Sequence, residues 1–318
     1  VMGLREIFKK QGGMNLIKQY HQSGALFTAV CEFLLLGKSR TALEILRLST
    51  QLKSKQKLEK KYKRELKEFD KQYDQTLPHE SSNKVWICWF QGIENAPEIV
   101  QKCYESVKRN MPDMDIVVLT DDNIKDYVQF PEYIQMKYES GIIGRAHYSD
   151  LLRLALLIKY GGVWIDATVF CTSKKIPEYM LDSELFLFQD LKPGKDGHAT
   201  SISNWYICSK TNNKLLCATQ WLLLKYWEKN NFAIDYFIFH DFFEIVIERY
   251  SEEWKNVIPC ANSTPHTLLL HIFDSYNENW FNNVIEMTPF HKLSYKFDAE
   301  SIEQLDTNYA QIIKSDWI

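Results

Sequence analysis

A chain of 318 residues, 45% of them hydrophobic and 25% charged, can bury a sizeable core, which excludes an intrinsically disordered polypeptide. The net charge is only -3, yet residues 1–84 carry 17 Lys and Arg against 9 Asp and Glu, and the remainder 21 against 32. Such a basic front suits an anionic membrane leaflet or a solvated charged helix, and without a basic-aromatic signature it argues against a nucleic-acid partner.

Seven cysteines are scattered without C-x-x-C spacing, so neither a disulfide framework nor a zinc site is indicated and a reducing compartment is expected. Cys88, inside Val85–Phe90, reads as a small hydrophobe. The first residues show no secretory signal. The most apolar stretch, Gly24–Leu36, carries Glu32 and falls well short of the roughly 20 residues that span a bilayer. It is expected to lie on a membrane at most.

In chain order, an amphipathic helical pair divides near Gly37-Lys38-Ser39, and a charged helix then runs from about Thr41 to Tyr73. Lys53–Lys71 has few apolar positions and reads as an exposed connector or a partner-binding arm. Thr76–Asn83 is a linker by composition, which sets a helical basic region at 1–80 before an α/β domain at 81–318. That domain opens with a strand at Val85–Phe90, a helix from about Ala96 to Asn110, a strand at Asp115–Leu119 and a turn at Thr120–Asn123. This βαβ pattern predicts a largely parallel sheet, with Gln91-Gly92, Asp121-Asp122 and Asp166 at strand ends facing one crevice. The turn residues Gln91-Gly92-Ile93-Glu94 are not a G-x-G-x-x-G loop, which excludes a dinucleotide oxidoreductase of that type.

The next helix, from about Ala146 to Tyr160, is apolar nearly all round and therefore buried. Asp150 and Arg153 share one of its faces, and burial obliges them to pair with each other or with a ligand. Gly161 fits a left-handed cap and Gly162 a close chain approach before the strand that delivers Asp166. Thr168 follows on the same side of the extended chain. A strand-end carboxylate can ligate Mg2+ or Mn2+ beside a departing diphosphate, and a threonine hydroxyl only weakly. Further on come a strand at Leu185–Gln189, a loop at Pro193–Gly197, a strand at Trp205–Cys208 and helices from Asn213 to about Tyr250. In the last of these, His240 and Asp241 either face an acceptor or serve as structural polarity.

Val85–Gly92 with Asn95-Ala96-Pro97, Ser149-Asp150-Leu151-Leu152-Arg153, Tyr160–Thr168, Ser203-Asn204-Trp205 and His291–Lys296 together resemble the bacterial capsular polysaccharide synthesis glycosyltransferases, relatives of GT-A enzymes with a DXD-type sugar-binding region. The resemblance covers roughly residues 85–296 and implies an α/β fold: a GT-A-like, Rossmann-type nucleotide-sugar domain behind a mainly helical N-terminal extension. It implies a uracil pocket at Trp89, Phe90 and Gln91, with Asp150 and Arg153 on the donor sugar and the helix opposite. Asp166, Thr168 and His291 would hold Mn2+ or Mg2+, Lys292 or Lys296 would offset phosphate charge, and Asn204 and Asp241 would join Asp166 as catalytic candidates.

The implied reaction moves galactose or glucose from a UDP-hexose donor to a lipid-linked saccharide acceptor in capsular repeat-unit synthesis. Retention is expected, at the inner face of the cell membrane. Thr168, standing where a second carboxylate is usual, leaves a metal-independent or inverting transferase open, and the charged front leaves a noncatalytic scaffold open. Removing residues 1–75 is expected to spare UDP-sugar binding. The oligomeric state is left undetermined.

Overall fold

The computed structural model describes residues 13–191 and 200–314, so the expected loop at Pro193–Gly197 lies outside the described residues. Helix α1 (Met14–Ser23) stops at Gly24, which takes the left-handed conformation, and α2 (Leu26–Leu36) follows at once. Helix α3 (Arg40–Tyr62) starts on Ser39, whose hydroxyl accepts from the Ala42 amide at 3.1 Å. The charged helix expected as one piece breaks at Lys63 and Arg64 before α4 (Glu65–Gln72).

These helices are not a free arm. Leu58, Tyr62, Leu66 and Phe69 recur every three or four residues and are all buried. Tyr62 packs at ring distances of 5.9 Å on Tyr226 and 5.5 Å on Phe242, deep in the α/β region. The abundant lysines obscure this stripe in the sequence, because most of them stand on the opposite face. A change of pattern near residue 80 is therefore not a division of the core.

Strands β1 (Lys84–Cys88), β2 (Asp115–Leu119), β3 (Gly162–Ile165), β5 (Leu185–Gln189) and β6 (Ile202–Ser209) form one sheet in the order β2-β1-β3-β6-β5, and β4 (Val169–Cys171) pairs separately with β7 (Phe290–Lys292). Only β6 runs against its neighbours, so the sheet is mixed but parallel-rich. Gly162 permits the close β1–β3 approach: its φ is +93°, and a Cβ there would lie 2.3 Å from the Lys84 carbonyl oxygen. Gly161 also has positive φ, but its ψ of -163° is extended, not the left-handed cap expected.

Alternation along the strands sends Trp86, Trp164, Leu187 and Ile207 to one face, and Val85, Val163, Phe186 and Cys208 to the other. The first face is covered by α3, α4 and three further helices, α6 (Arg145–Tyr160), α7 (Lys214–Lys229) and α8 (Ile238–Arg249). The second is covered by α5 (Glu98–Asn110), α9 (Ser263–Leu270), α10 (Glu278–Glu286) and the β4–β7 pair.

Candidate active site

Asp166 leaves the end of β3 with its orientation set by the sheet. Its amide donates to the Trp205 carbonyl at 2.8 Å. Trp164, on the same side two residues earlier, donates Nε1–H to Asp166 Oδ1 at 3.0 Å. Over that indole lies the Arg153 guanidinium, 4.9 Å from the ring centre.

Arg153 is 5% exposed, and its partners make that burial tolerable. Nη2 is 3.4 Å from Asp150 Oδ1 and 3.7 Å from Asp166 Oδ1, Nη1 donates to the Asn204 carbonyl, and Nε donates to the Ser149 carbonyl at 3.4 Å. Asn204 Nδ2 closes the circuit on Asp150 Oδ1 at 2.9 Å. Arg153 thus ties α6 to β6, sets the acidic pair and also borders the cleft. Burial pushes the Asp150 carboxyl up to about 6, the Asp166 charge adds to this, and Arg153 and Asn204 oppose it.

Lys292 arrives from the other end of the chain. The β4–β7 register sets it opposite Val169, and its Nζ donates to Thr168 Oγ1 at 2.5 Å and lies 3.3 Å from Asp166 Oδ2. Neighbouring strand residues face opposite ways, so His291 turns inward as Lys292 faces the cleft. His291 is fully buried, its Nε2 is 3.4 Å from the Ile285 carbonyl oxygen, and burial drives the ring down to about 4.

A divalent ion does not fit the expected trio of Asp166, Thr168 and His291. The histidine faces away, the threonine hydroxyl accepts from an ammonium, and the one carboxylate is flanked by Lys292 and Arg153. Among the described residues no three His, Cys, Asp or Glu side chains cluster as metal ligands. The positive charge beside Asp166 belongs to the protein itself.

Two cavities meet here, sharing Ser149, Asp166 and Lys292. The smaller, about 290 Å³, has Trp89, Tyr295 and Lys296 in its wall, with Trp89 edge-on to Tyr295 at 5.2 Å. The larger, about 770 Å³, is lined by polar groups that include Asp150, Asn204, Asp190, Asn262 and His266.

Among the expected nucleotide contacts, Trp89 reaches the smaller cavity and Phe90 and Gln91 do not. Phe90 packs 6.3 Å from Tyr148 under the Arg145 guanidinium, because the chain bends toward β2, and Gln91 is exposed. The β2 end also stays outside, with Asp121 Oδ2 3.6 Å from Arg145 Nη2. Asp241 is fully buried in α8 toward Gln51 and Lys55 of α3, and its preceding residue His240 lines the larger cavity instead. Asn204, Lys292 and Lys296 all reach the cleft.

Sequence reasoning missed the wall made by Asp190, Asn262 and His266. Asn262 accepts from Trp205 Nε1 and donates to Asp190 Oδ1, both at 2.9 Å, while His266 Nδ1 is 2.7 Å from the Asn262 carbonyl oxygen. These residues meet because the chain at Ala261 pairs with Gln189 at the end of β5, with Gln189 N–H donating to the Cys260 carbonyl and Asn262 N–H to the Gln189 carbonyl, each at 2.8 Å, while antiparallel β6 brings Trp205 alongside. No local motif marks them. Glu44, Arg47 and Gln51 of α3 complete the far wall.

The family model for capsular polysaccharide synthesis proteins matches residues 40–312. The chain belongs to that family. Its match begins at α3, in keeping with the place of that helix in the core and the cleft. Among curated relatives, the O-glycosyltransferase braB of Annulohypoxylon truncatum is 30% identical over 169 residues, covering 48% of this chain and 39% of the relative. The glycosyltransferase afumC of Aspergillus fumigatus is 22% identical over 221 residues, covering 64% and 48% respectively. The chain therefore spans less than half the length of either. A solved structure, PaToxG glycosyltransferase, aligns over 79% of this chain and 95% of its own at a TM-score of 0.40 and 16% identity.

Proposed function

We propose that this protein is a glycosyltransferase that takes a hexose, galactose or glucose, from a UDP-sugar. The observation that carries the reading is Asp166 at the junction of the two cavities, between Lys292 and Arg153. The Trp89–Tyr295 wall offers a flat apolar face to a base, and Lys292 and Lys296 offer charge to a diphosphate. The polar cavity beyond offers hydroxyl partners in Asp150, Asn204 and Asp190. Membership of a capsular polysaccharide synthesis family and two relatives named as glycosyltransferases support the same class.

In this reading the donor's anomeric C1–O bond to the diphosphate breaks while a C1–O bond to the acceptor hydroxyl forms on the same face. The hydroxyl proton leaves on the departing phosphate oxygen. The protein orients both partners and offsets the charge that develops on the diphosphate. Lys292 supplies that offset at the position where a metal ion was expected. The acceptor is taken to be a lipid-linked saccharide met at the inner face of the cell membrane.

The test is UDP-sugar hydrolysis, donor by donor, with added Mn2+ and with chelator. Turnover of one UDP-hexose that survives chelation supports the reading, and strict dependence on Mn2+ rejects the role given to Lys292. Failure to bind any UDP-sugar would leave the noncatalytic scaffold standing. An α-linked product from an α-linked donor supports retention, and a β-linked product refutes it.

A further inference from the structure

Helix α2 presents to solvent the side chains that a helix in a folded protein ordinarily buries. Phe27, Val30 and Leu34, spaced i, i+3 and i+7, share one face with Leu35 beside them, and their exposures are 80%, 49%, 76% and 82%. Ala29 turns inward, and the helix rests against α3. The segment that carries α1–α3 is cationic: residues 13–62 hold nine Lys and Arg against three Glu, and of these cations Lys55 is buried against Glu248. Lys38 and Arg40 are exposed just past the end of the helix, and Lys57 of α3 donates to the Gln22 carbonyl beside the α1–α2 turn.

We infer that α2 is a peripheral membrane anchor and that the surface it occupies is an anionic lipid bilayer. An apolar stripe collared by cations meets both of its needs at such a leaflet, apolar side chains among acyl chains and ammonium groups among phosphates. A second copy would match the stripe but set one cationic collar against another. At 1.5 Å per residue α2 is about 16 Å long, so it lies in the interface and does not cross a core of about 30 Å. No helix of the described residues is long and apolar enough to cross a membrane.

The placement has a consequence for the cleft. Gly37–Ser39 joins α2 directly to α3, whose Arg40, Leu43, Glu44 and Arg47 line a cavity of about 640 Å³. This cavity shares Glu44, Arg47, Gln51, Tyr236 and Phe237 with the larger cleft. Anchoring α2 brings the α3 end of the cleft to headgroup level, where an amphiphilic acceptor is met. That last step rests on the transferase reading, whereas bilayer binding does not.

The experiment sediments the full chain with vesicles of phosphatidylcholine alone and of phosphatidylcholine mixed with phosphatidylglycerol, at low and high salt. Binding is expected to the anionic vesicles, with little to the neutral ones, and to weaken as salt shortens the screening length. The double substitution Leu34→Asp and Leu35→Asp is expected to cut the bound fraction about tenfold while UDP affinity and unfolding temperature stay at wild-type values. The proposal is overturned if the wild type ignores anionic vesicles or if the double variant binds them as well as the wild type does. It is equally overturned if light scattering shows a dimer that the double variant dissolves. Loss of UDP binding in the wild type would remove the transferase reading and leave the vesicle result intact.

Discussion

Lys292 donates to Thr168 across 124 residues of sequence, at 2.5 Å, and by doing so stands 3.3 Å from the Asp166 carboxylate. The Thr168 hydroxyl, expected as a weak metal ligand, thus has a definite partner in the protein. An aspartate at that position would add a second negative charge beside Asp166, whereas threonine adds none and Lys292 offsets the charge of Asp166.

Lys292→Ala is therefore expected to weaken UDP binding by about 10- to 100-fold, the worth of one charged hydrogen bond to phosphate. Calorimetric titration of UDP reads this directly. In the wild type the same titration should be unchanged by chelator. Restored affinity on adding Mn2+ to stripped protein would contradict the prediction.

Asp166→Asn keeps an acceptor for Trp164 Nε1 and removes only the charge between Lys292 and Arg153. Hydrolysis of the UDP-sugar should fall by about 100-fold or more, with the melting temperature near that of the wild type. Full turnover in this variant would show that the reacting centre lies elsewhere.

Asp150 predicts two pH effects of opposite sense. Its carboxyl sits at about 6, above the ordinary value of about 3.9. The ionised form faces Arg153 and Asn204, so kcat/KM should fall as pH drops through about 6, and Asp150→Asn should lack that acid limb. Stability runs the other way, because a raised folded-state value means the contribution is complete below pH 4 and is lost as pH rises through 6. Melting curves from pH 4 to 8 should accordingly be flatter in Asp150→Asn than in the wild type.

Deleting residues 1–75 should abolish soluble folded protein, contrary to what the charged sequence suggests. The deletion strips Leu58, Tyr62, Leu66 and Phe69 from the core. At about 1.5–3 kcal/mol for each large apolar side chain, the loss is comparable with a whole domain's stability of about 5–15 kcal/mol. Circular dichroism of the truncated chain checks this, and a cooperative thermal transition would refute it.

Gly162→Ala should destabilise by several kcal/mol, on the order of a severe single substitution, since it combines positive φ with a Cβ driven into the Lys84 carbonyl. Denaturant melts would register this as a lower midpoint. An unchanged midpoint would mean that β1 and β3 can part without cost.

Much of the frame is local and so was legible in the residues. The β2 limits, the burial of α6, the close approach at Gly162 and the exit of Asp166 from β3 follow from apolar periodicity and glycine placement over ten or twenty positions. Asp150 and Arg153 also announced themselves, because a charge in an apolar helix must find a partner.

Which partner each residue found was decided by tertiary structure. His291 and Lys292 are neighbours, and only the β4–β7 register determines that the lysine faces the cleft and the histidine the interior. The same holds for His240 and Asp241, separated by the facing of α8 against α3, and for Asn262 and Asp190, brought together by the pairing of Ala261 with Gln189 at the end of β5. Periodicity declares that a strand or helix has two sides. Which side meets the ligand is set by long-range packing, whose partners are far apart in the chain.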